Sequence, residues 1–224
     1  VPLHPVLMLK RFTNLDPGQQ PPDFAAFFRW SILDRVLFRR RVQPPGEPAP
    51  RVEPDIQRIH NPGNEVQLTW IGHASFLLSI GGRHVLIDPV FSPRIGIFYK
   101  RHVPPGLVPD QLPSIDAVLI SHNHYDHLDA SSINSLPCEV KVVAPLGLGD
   151  CFRRRSKSNV VELDWWQSTE VGRSSVTLVP ARHWSRRRLF DQNSSLWGGF
   201  VVEANGAAVY FAGDTATDRN FDPL

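Results

Sequence analysis

The segment Ser121-His122-Asn123-His124-Tyr125-Asp126-His127-Leu128-Asp129 puts three imidazoles and a carboxylate within six positions, 122–127. Imidazole nitrogen and carboxylate oxygen are the donors that suit zinc and its neighbours in the transition series. The apolar residues 117–120 come directly before, so the cluster sits on a loop leaving a short buried strand. A polar surface loop that carries histidines by chance is the plainer alternative. Two further donors stand at strand ends downstream. His183 follows Ser175-Val176-Thr177-Leu178-Val179-Pro180, and Asp214 follows Val209-Tyr210-Phe211-Ala212-Gly213. Either one alone reads as an ordinary histidine or a turn aspartate. In this order after that cluster, both read as metal ligands.

Residues around these donors carry weaker signals. Asp88 and Asp129 are carboxylates that could accept the second ring N–H of a ligating histidine. Asp129 could equally cap the helix that follows it, and Asp88 before Pro89 could be a turn former. His73, in Gly-His-Ala-Ser, reads as structural, with a place beside the donors as the second option. Arg182, Arg186, Arg187 and Arg188 bracket His183 and Trp184 on one loop. Arginines there could grip phosphate and Trp184 could line an apolar groove; a solvated loop is the plainer reading. Tyr125 either orients water or packs.

These donors need a scaffold. Residues 66–70 alternate apolar and polar side chains as a strand does, and 76–80 and 84–87 flank Gly81-Gly82, a tight-turn pair. Residues 130–136 read as a helix and 140–144 as a strand. Residues 146–155 read as a helix weakened by Gly147 and Gly149, and 160–163, 176–179, 196–203 and 207–212 as strands. Asn205-Gly206 marks a hairpin between the last two. Early hairpins with interspersed helices predict a mixed α/β sheet covered by helices. Residues 1–65 differ: prolines break them up, except for 24–41. There Ala26, Trp30, Leu33 and Leu37 form a helical stripe that ends in Arg39-Arg40-Arg41. That amphipathic helix packs on the domain or, as the second option, lies on a lipid surface. The expected division is an N-terminal arm, 1–65, and a catalytic domain, 66–224.

Composition narrows the class. The chain of 224 residues, 42% hydrophobic and 10% aromatic, holds one sizeable core rather than two domains. Charged residues interrupt every apolar run, so no bilayer span is expected, and the opening residues do not read as a signal peptide. The expected location is the cytoplasm or the periphery of a membrane. Two cysteines, Cys138 and Cys151, read as free thiols. Net charge is only +2, but three arginine triplets concentrate it. They are solvated surface or an attraction for phosphate and anionic lipid; no nucleic-acid motif accompanies them.

The spacing His-x-His-x-Asp-His resembles the signature of the metallo-β-lactamase superfamily. Longer runs resemble one branch of it, the N-acyl-phosphatidylethanolamine-hydrolysing phospholipase D family and its bacterial relatives. Those runs are Trp70-Ile71-Gly72-His73-Ala74-Ser75-Phe76-Leu77-Leu78, Leu86-Ile87-Asp88-Pro89-Val90-Phe91-Ser92 and Val103-Pro104-Pro105-Gly106-Leu107. Downstream come Glu162-Leu163-Asp164-Trp165-Trp166, His183-Trp184, Leu196-Trp197-Gly198 and Phe211-Ala212-Gly213-Asp214-Thr215. The resemblance implies an αββα sandwich and a phosphodiesterase with two zinc ions. It would release an N-acylethanolamine from a phospholipid and leave phosphatidic acid. It assigns His122, His124 and His183 to one metal and Asp126 and His127 to the other, with Asp214 bridging, and Asp126 and Asp214 serving catalysis. Zinc lowers the pKa of its water from ~15.7 to ~7, so a hydroxide held between the ions needs no serine or cysteine nucleophile. The family supplies one more histidine after the Gly-Asp element. Here His183 is the last histidine, and the expectation is a fragment of a longer protein with the sandwich incomplete at its C-terminal side. A carbonyl-ester or lactone hydrolase of the same fold, and an inactive metal-binding module, are the alternatives.

Overall fold

A computed structural model describes residues 11–16, 50–95, 99–188 and 190–216. The anticipated helix at 24–41 lies outside the described residues. Helix α1 (Ile56–His60) precedes the first sheet, with Asp55 accepting from Arg58 N at its start. Strands β1 (Gln67–Gly72), β2 (Ser75–Ile80) and β3 (Arg83–Ile87) form an antiparallel meander. A small ribbon, β4 (Arg94–Ile95) with β5 (Tyr99–Lys100), follows. Then come β6 (Ala117–Leu119), α2 (Ala130–Asn134), β7 (Lys141–Pro145), α3 (Gly149–Arg153) and β8 (Val160–Leu163). Strands β9 (Ser168–Val171), β10 (Ser174–Val179), β11 (Gly199–Ala204) and β12 (Ala207–Phe211) follow as the last elements among the described residues.

Two sheets result, in the orders β1-β2-β3-β6-β7-β8 and β12-β11-β10-β9. In the first, β3, β6, β7 and β8 run parallel, the last three each reached by a crossover. The second is entirely antiparallel. Strand β6 is apolar on both faces, as a parallel strand covered on both sides must be. Its Val118 joins a core with Ile59, Ile133 and Phe152, on the side covered by the helices. Its neighbours Ala117 and Leu119 join a second core with Leu78, Val176, Leu178 and Phe200, between the sheets. The described residues are therefore layered helix, sheet, sheet.

Local chemistry explains most element boundaries. Gly81 and Gly82 both take positive φ, 58 and 71, and close the β2–β3 turn. A Cβ on Gly81 would stand 2.6 Å from the Ala204 side chain, so the turn can press on the second sheet only as glycine. Asn205-Gly206 turns β11 into β12 as its sequence signals. The helix expected over 146–155 is shorter. Leu146 N–H donates to Leu163 O and Gly147 N–H to Glu162 Oε1, so both residues belong to the β7–β8 edge. Strand β9 has no apolar run because it is a largely exposed edge strand. Val66, Leu68 and Trp70 are exposed, Trp70 by 64%. Trp70 shares its face with Phe76, its register partner, and Phe76 packs on Phe211 of β12, the last strand described in the second sheet. Strand β1 thus lies beyond the sheet that would cover it. Cys138 and Cys151 are free thiols, as the sequence suggests.

Candidate metal centre

Strands β3 and β6 lie side by side and parallel, so Asp88 and Ser121, each just beyond a strand end, meet. Strands β10 and β12 run in one direction in the second sheet, and His183 and Asp214 follow their ends. All four ends gather at one rim of the sandwich. Gly198 N–H donates to Ser121 O at 3.0 Å and stitches the sheets together there. Gly213, at φ 61, brings Asp214 in: a Cβ on it would stand 2.8 Å from Gly198 O and 3.1 Å from Ser121 Cβ.

The donors form two groups. His122, His124, His183 and Asp214 make the first, and His73, Asp126 and His127 the second. In the first, His124 Nδ1 lies 2.9 Å from His122 Nε2 and 3.1 Å from His183 Nε2. Asp214 Oδ2 is 3.9 and 3.7 Å from those same two Nε2 atoms. In the second, Asp126 Oδ2 is 2.9 Å from His73 Nε2 and 3.8 Å from His127 Nε2. Asp214 Oδ1 stands 3.2 Å from His127 Nε2, so its two oxygens face one group each. Donors ~2.0–2.1 Å from a tetrahedral ion are about 3.3 Å apart, and these separations bracket that value.

Hydrogen bonding fixes which nitrogen of two rings faces inward. Asp88 is fully buried and accepts from Ser121 N at 2.7 Å, Ser121 Oγ at 2.5 Å and His127 Nδ1 at 2.7 Å. A carboxylate only accepts, so the Ser121 hydroxyl proton is spent on it. Ser121 Oγ, 2.9 Å from His122 Nδ1, must then accept from that nitrogen. His122 and His127 both carry a proton on Nδ1 and turn Nε2 inward. His127 Nε2 is buried with no aligned hydrogen-bond partner, although Asp214 is at ion-pair distance. His124 Nδ1 has one lone pair and cannot satisfy both histidines facing it. Inward lone pairs, an orphaned ring nitrogen and outer carboxylate support fit a cation in each group.

The electrostatics agree for the three rings of the first group, while His127 would give up a proton to a cation. Burial, then the neighbouring imidazoles, pushes His122 well below its ordinary range. Burial holds His124 and His183 down at about 4. These three rings are neutral at pH 7, as ligands must be. Burial also opposes charge on His127, but the carboxylates of Asp214 and Asp88 outweigh it and hold the ring up at about 10. Asp126 is drawn down to about 2: burial opposes its charge, and His73 and His127 overcome that. Asp214 is lowered chiefly by His127.

Every donor expected from the sequence reaches this rim, His183 and Asp214 included. His73 comes closer than expected. It occupies the two-residue turn between β1 and β2 at φ 51 and joins the second group directly. Its sequence context, Gly-His-Ala-Ser, signals only the turn. Asp88 takes the expected outer position. Of the two readings for Asp129 the structure selects the cap and not the support of a ligating ring: its carboxylate accepts from Ser132 N, Ser132 Oγ and Ser92 Oγ at the start of α2. Arg187 also departs from the phosphate-gripping role: its Nη1 donates to Asn123 O and Leu128 O. Arg186 is half-buried, with its backbone N–H on Asn123 Oδ1. Trp184 packs edge-on against His124, ring centroids 4.4 Å apart, and walls the first group. Two supports carry no sequence signal of their own: Ser121, which relays between Asp88 and His122, and Asn14, whose Oδ1 accepts from His183 N.

The fold and the rim define a metallo-β-lactamase-type sandwich. Residues 83–222 match the beta-lactamase superfamily domain, and the chain belongs to that family. An uncharacterised protein of Mycobacterium tuberculosis is 35% identical over 221 residues, 95% of this chain and 58% of that protein. An N-acyl-phosphatidylethanolamine-hydrolysing phospholipase D of Caenorhabditis elegans is 35% identical, over 66% of this chain and 46% of its own length. A metal-dependent hydrolase of Opitutus terrae is also 35% identical, over 67% of this chain and 63% of its own length. The chain thus spans about half to two thirds of these relatives. The crystal structure of a possible metal-dependent hydrolase from Veillonella parvula superposes with a TM-score of 0.57 at 23% identity, covering 68% of this chain and 64% of that one.

Proposed function

We propose that this chain carries the two-metal centre of a metal-dependent hydrolase, most specifically a phosphodiesterase acting on N-acyl-phosphatidylethanolamine-like lipids. The observation that carries the reading is Asp214, with one oxygen toward each of two donor groups. His122, His124 and His183 would hold one cation and His73, Asp126 and His127 the other, with Asp214 shared. Zinc suits this nitrogen-rich set. Bound there, the cations supply Lewis acidity that ionises water near neutral pH and offsets charge on a developing oxyanion.

The chain's own residues do the rest. Asp88 and Ser121 keep the Nδ1 protons of His127 and His122 in place and so keep both Nε2 lone pairs inward. Trp184 and the buried flank of His124 keep bulk water from the first group. Asp126, ionised at neutral pH and partly exposed, accepts a hydrogen bond from the attacking water and orients it. The water oxygen joins phosphorus, the bond from phosphorus to the ethanolamine oxygen breaks, and the water proton leaves with that oxygen. Exposed Trp70, whose indole N–H donates to His73 O, and exposed Tyr125 adjoin this rim, and exposed Arg188 and Phe190 lie on the loop that His183 opens. Aromatic and basic side chains together suit the headgroup level of a lipid surface, and peripheral membrane contact is part of the proposal. No helix among the described residues is long and apolar enough to cross a membrane.

The equal identity to the Opitutus hydrolase favours a second reading, a hydrolase of another ester such as a lactone, through the same centre. The test is a substrate screen on the zinc-loaded protein with N-acyl-phosphatidylethanolamine vesicles and a lactone panel. Metal-dependent release of N-acylethanolamine supports the first reading. Turnover of lactones alone replaces it with the second, and turnover that survives His122→Ala or Asp214→Ala removes the metal mechanism.

A further inference from the structure

The two donor groups are assembled from separate loops. His124, Asp126 and His127 come from the loop after β6 in the first sheet, and His183 opens the long loop after β10 in the second. Backbone pairing within either sheet cannot fix one loop against the other. Arg187 lies between them. Its Nη1 donates to Asn123 O at 3.0 Å and to Leu128 O at 2.7 Å, the carbonyls that bracket residues 124–127. Its guanidinium carbon stands 4.2 Å from the Tyr125 ring centre, in cation–π contact. Tyr125 returns the bond: its hydroxyl donates to Arg187 O at 3.1 Å. Asp191 Oδ1 accepts from Arg187 N at 2.9 Å and from Arg188 N at 2.7 Å, which shapes the loop around the arginine.

We propose that Arg187 and Tyr125 form a clasp that sets the spacing of the donor loops, making Arg187 a positioning residue for the metal centre rather than an anion receptor. Both Nη1 protons are committed to loop carbonyls. A planar guanidinium over an aromatic ring permits one orientation, which a flexible ammonium does not. A shift of one loop by a few tenths of an ångström would spread the His183–His124 pair and the Asp214 contacts together, because both groups share Asp214. This inference rests on the metal reading above.

The test uses the whole chain, stripped of metal and titrated with Co²⁺ while the d–d absorption and the thermal midpoint are followed. The wild type should take up two equivalents. Arg187→Ala should weaken Co²⁺ binding by about tenfold or more, the range for lost outer support of ligands, and alter the band shape. Tyr125→Phe, which keeps the ring and loses one hydrogen bond, should show a smaller change of the same kind and covers the case of an unfolded Arg187→Ala. Arg187→Lys should not restore the wild-type spectrum. A merely structural arginine would lower the midpoint and leave affinity and spectrum alone. Variants that bind Co²⁺ within twofold of wild type, with the same bands, overturn the clasp alone; a wild type that takes up no metal overturns the metal reading and the clasp with it.

Discussion

Replacing Asp88 tests the outer support of the centre most directly. Its carboxylate is wholly buried and receives three donors: Ser121 N, Ser121 Oγ and His127 Nδ1. In Asp88→Ala the Ser121 N–H keeps no acceptor, and the His127 Nδ1–H keeps only Ser121 Oγ, long at 3.5 Å. Each orphaned buried donor costs about 1–3 kcal/mol, so the metal-free protein should lose about 2–6 kcal/mol. Metal affinity at the His127 group should fall about 10–100-fold. Asp88→Asn separates the two effects. Its amide oxygen can still accept from Ser121 N, so less stability is lost. Its amide N–H₂ then meets His127 Nδ1, which favours a proton on Nε2 and removes the inward lone pair. Asparagine should therefore hurt metal binding at least as much as alanine while hurting stability less. Urea denaturation of the metal-free protein and zinc titration of the same samples measure both. A loss below about 1 kcal/mol in Asp88→Ala, or an Asp88→Asn protein that binds zinc normally, would refute the hydrogen-bond assignment.

Other expectations follow from the same geometry. His127, held up at about 10, is charged in the metal-free protein at pH 7, whereas His124 and His183, near 4, are neutral. Zinc uptake at pH 7 should therefore release a proton from His127 in addition to any from zinc-bound water, and calorimetry in two buffers of different ionisation enthalpy, compared between wild type and His127→Ala, counts it. The sign for stability also follows: a folded value above the ordinary 6.5 stabilises the metal-free protein fully below pH 6.5, and that stabilisation fades as pH rises through about 10. Asp214→Ala should reduce zinc content at both groups and His73→Ala at one only, as elemental analysis would show. Gly213→Ala places a Cβ 2.8 Å from Gly198 O at a positive φ; a loss of about 1–3 kcal/mol on thermal unfolding, with weakened metal uptake, is expected.

The chemistry of this centre was legible because its densest part is local. Ligands within 122–127 share one loop, and their residue types alone limit what they can bind. Asp88 and the capping by Asp129 were within reach for similar reasons, the second as one of two options. His73 was underweighted because its only sequence signal is that of a turn, and its approach to Asp126 depends on where the β1–β2 hairpin ends. Arg187 was misassigned because a charge run signals solvent or an anion. Only the packed loops reveal two carbonyls and an aromatic ring within its reach.

Period-two patterns, short apolar runs and glycine turns placed most of the strands, since each is a property of a few adjacent residues. The short ribbon β4–β5, the polar edge strand β9 and the true length of α3 escaped, because each is set by pairing to a neighbouring segment rather than by an apolar pattern of its own. By itself, then, the sequence determined six of the seven donors, most of the strands and the family resemblance. The tertiary structure decided which donors share a group, which nitrogen each of two rings turns inward and which charges hold the loops, because those depend on parallel strand ends and two stacked sheets converging at one rim.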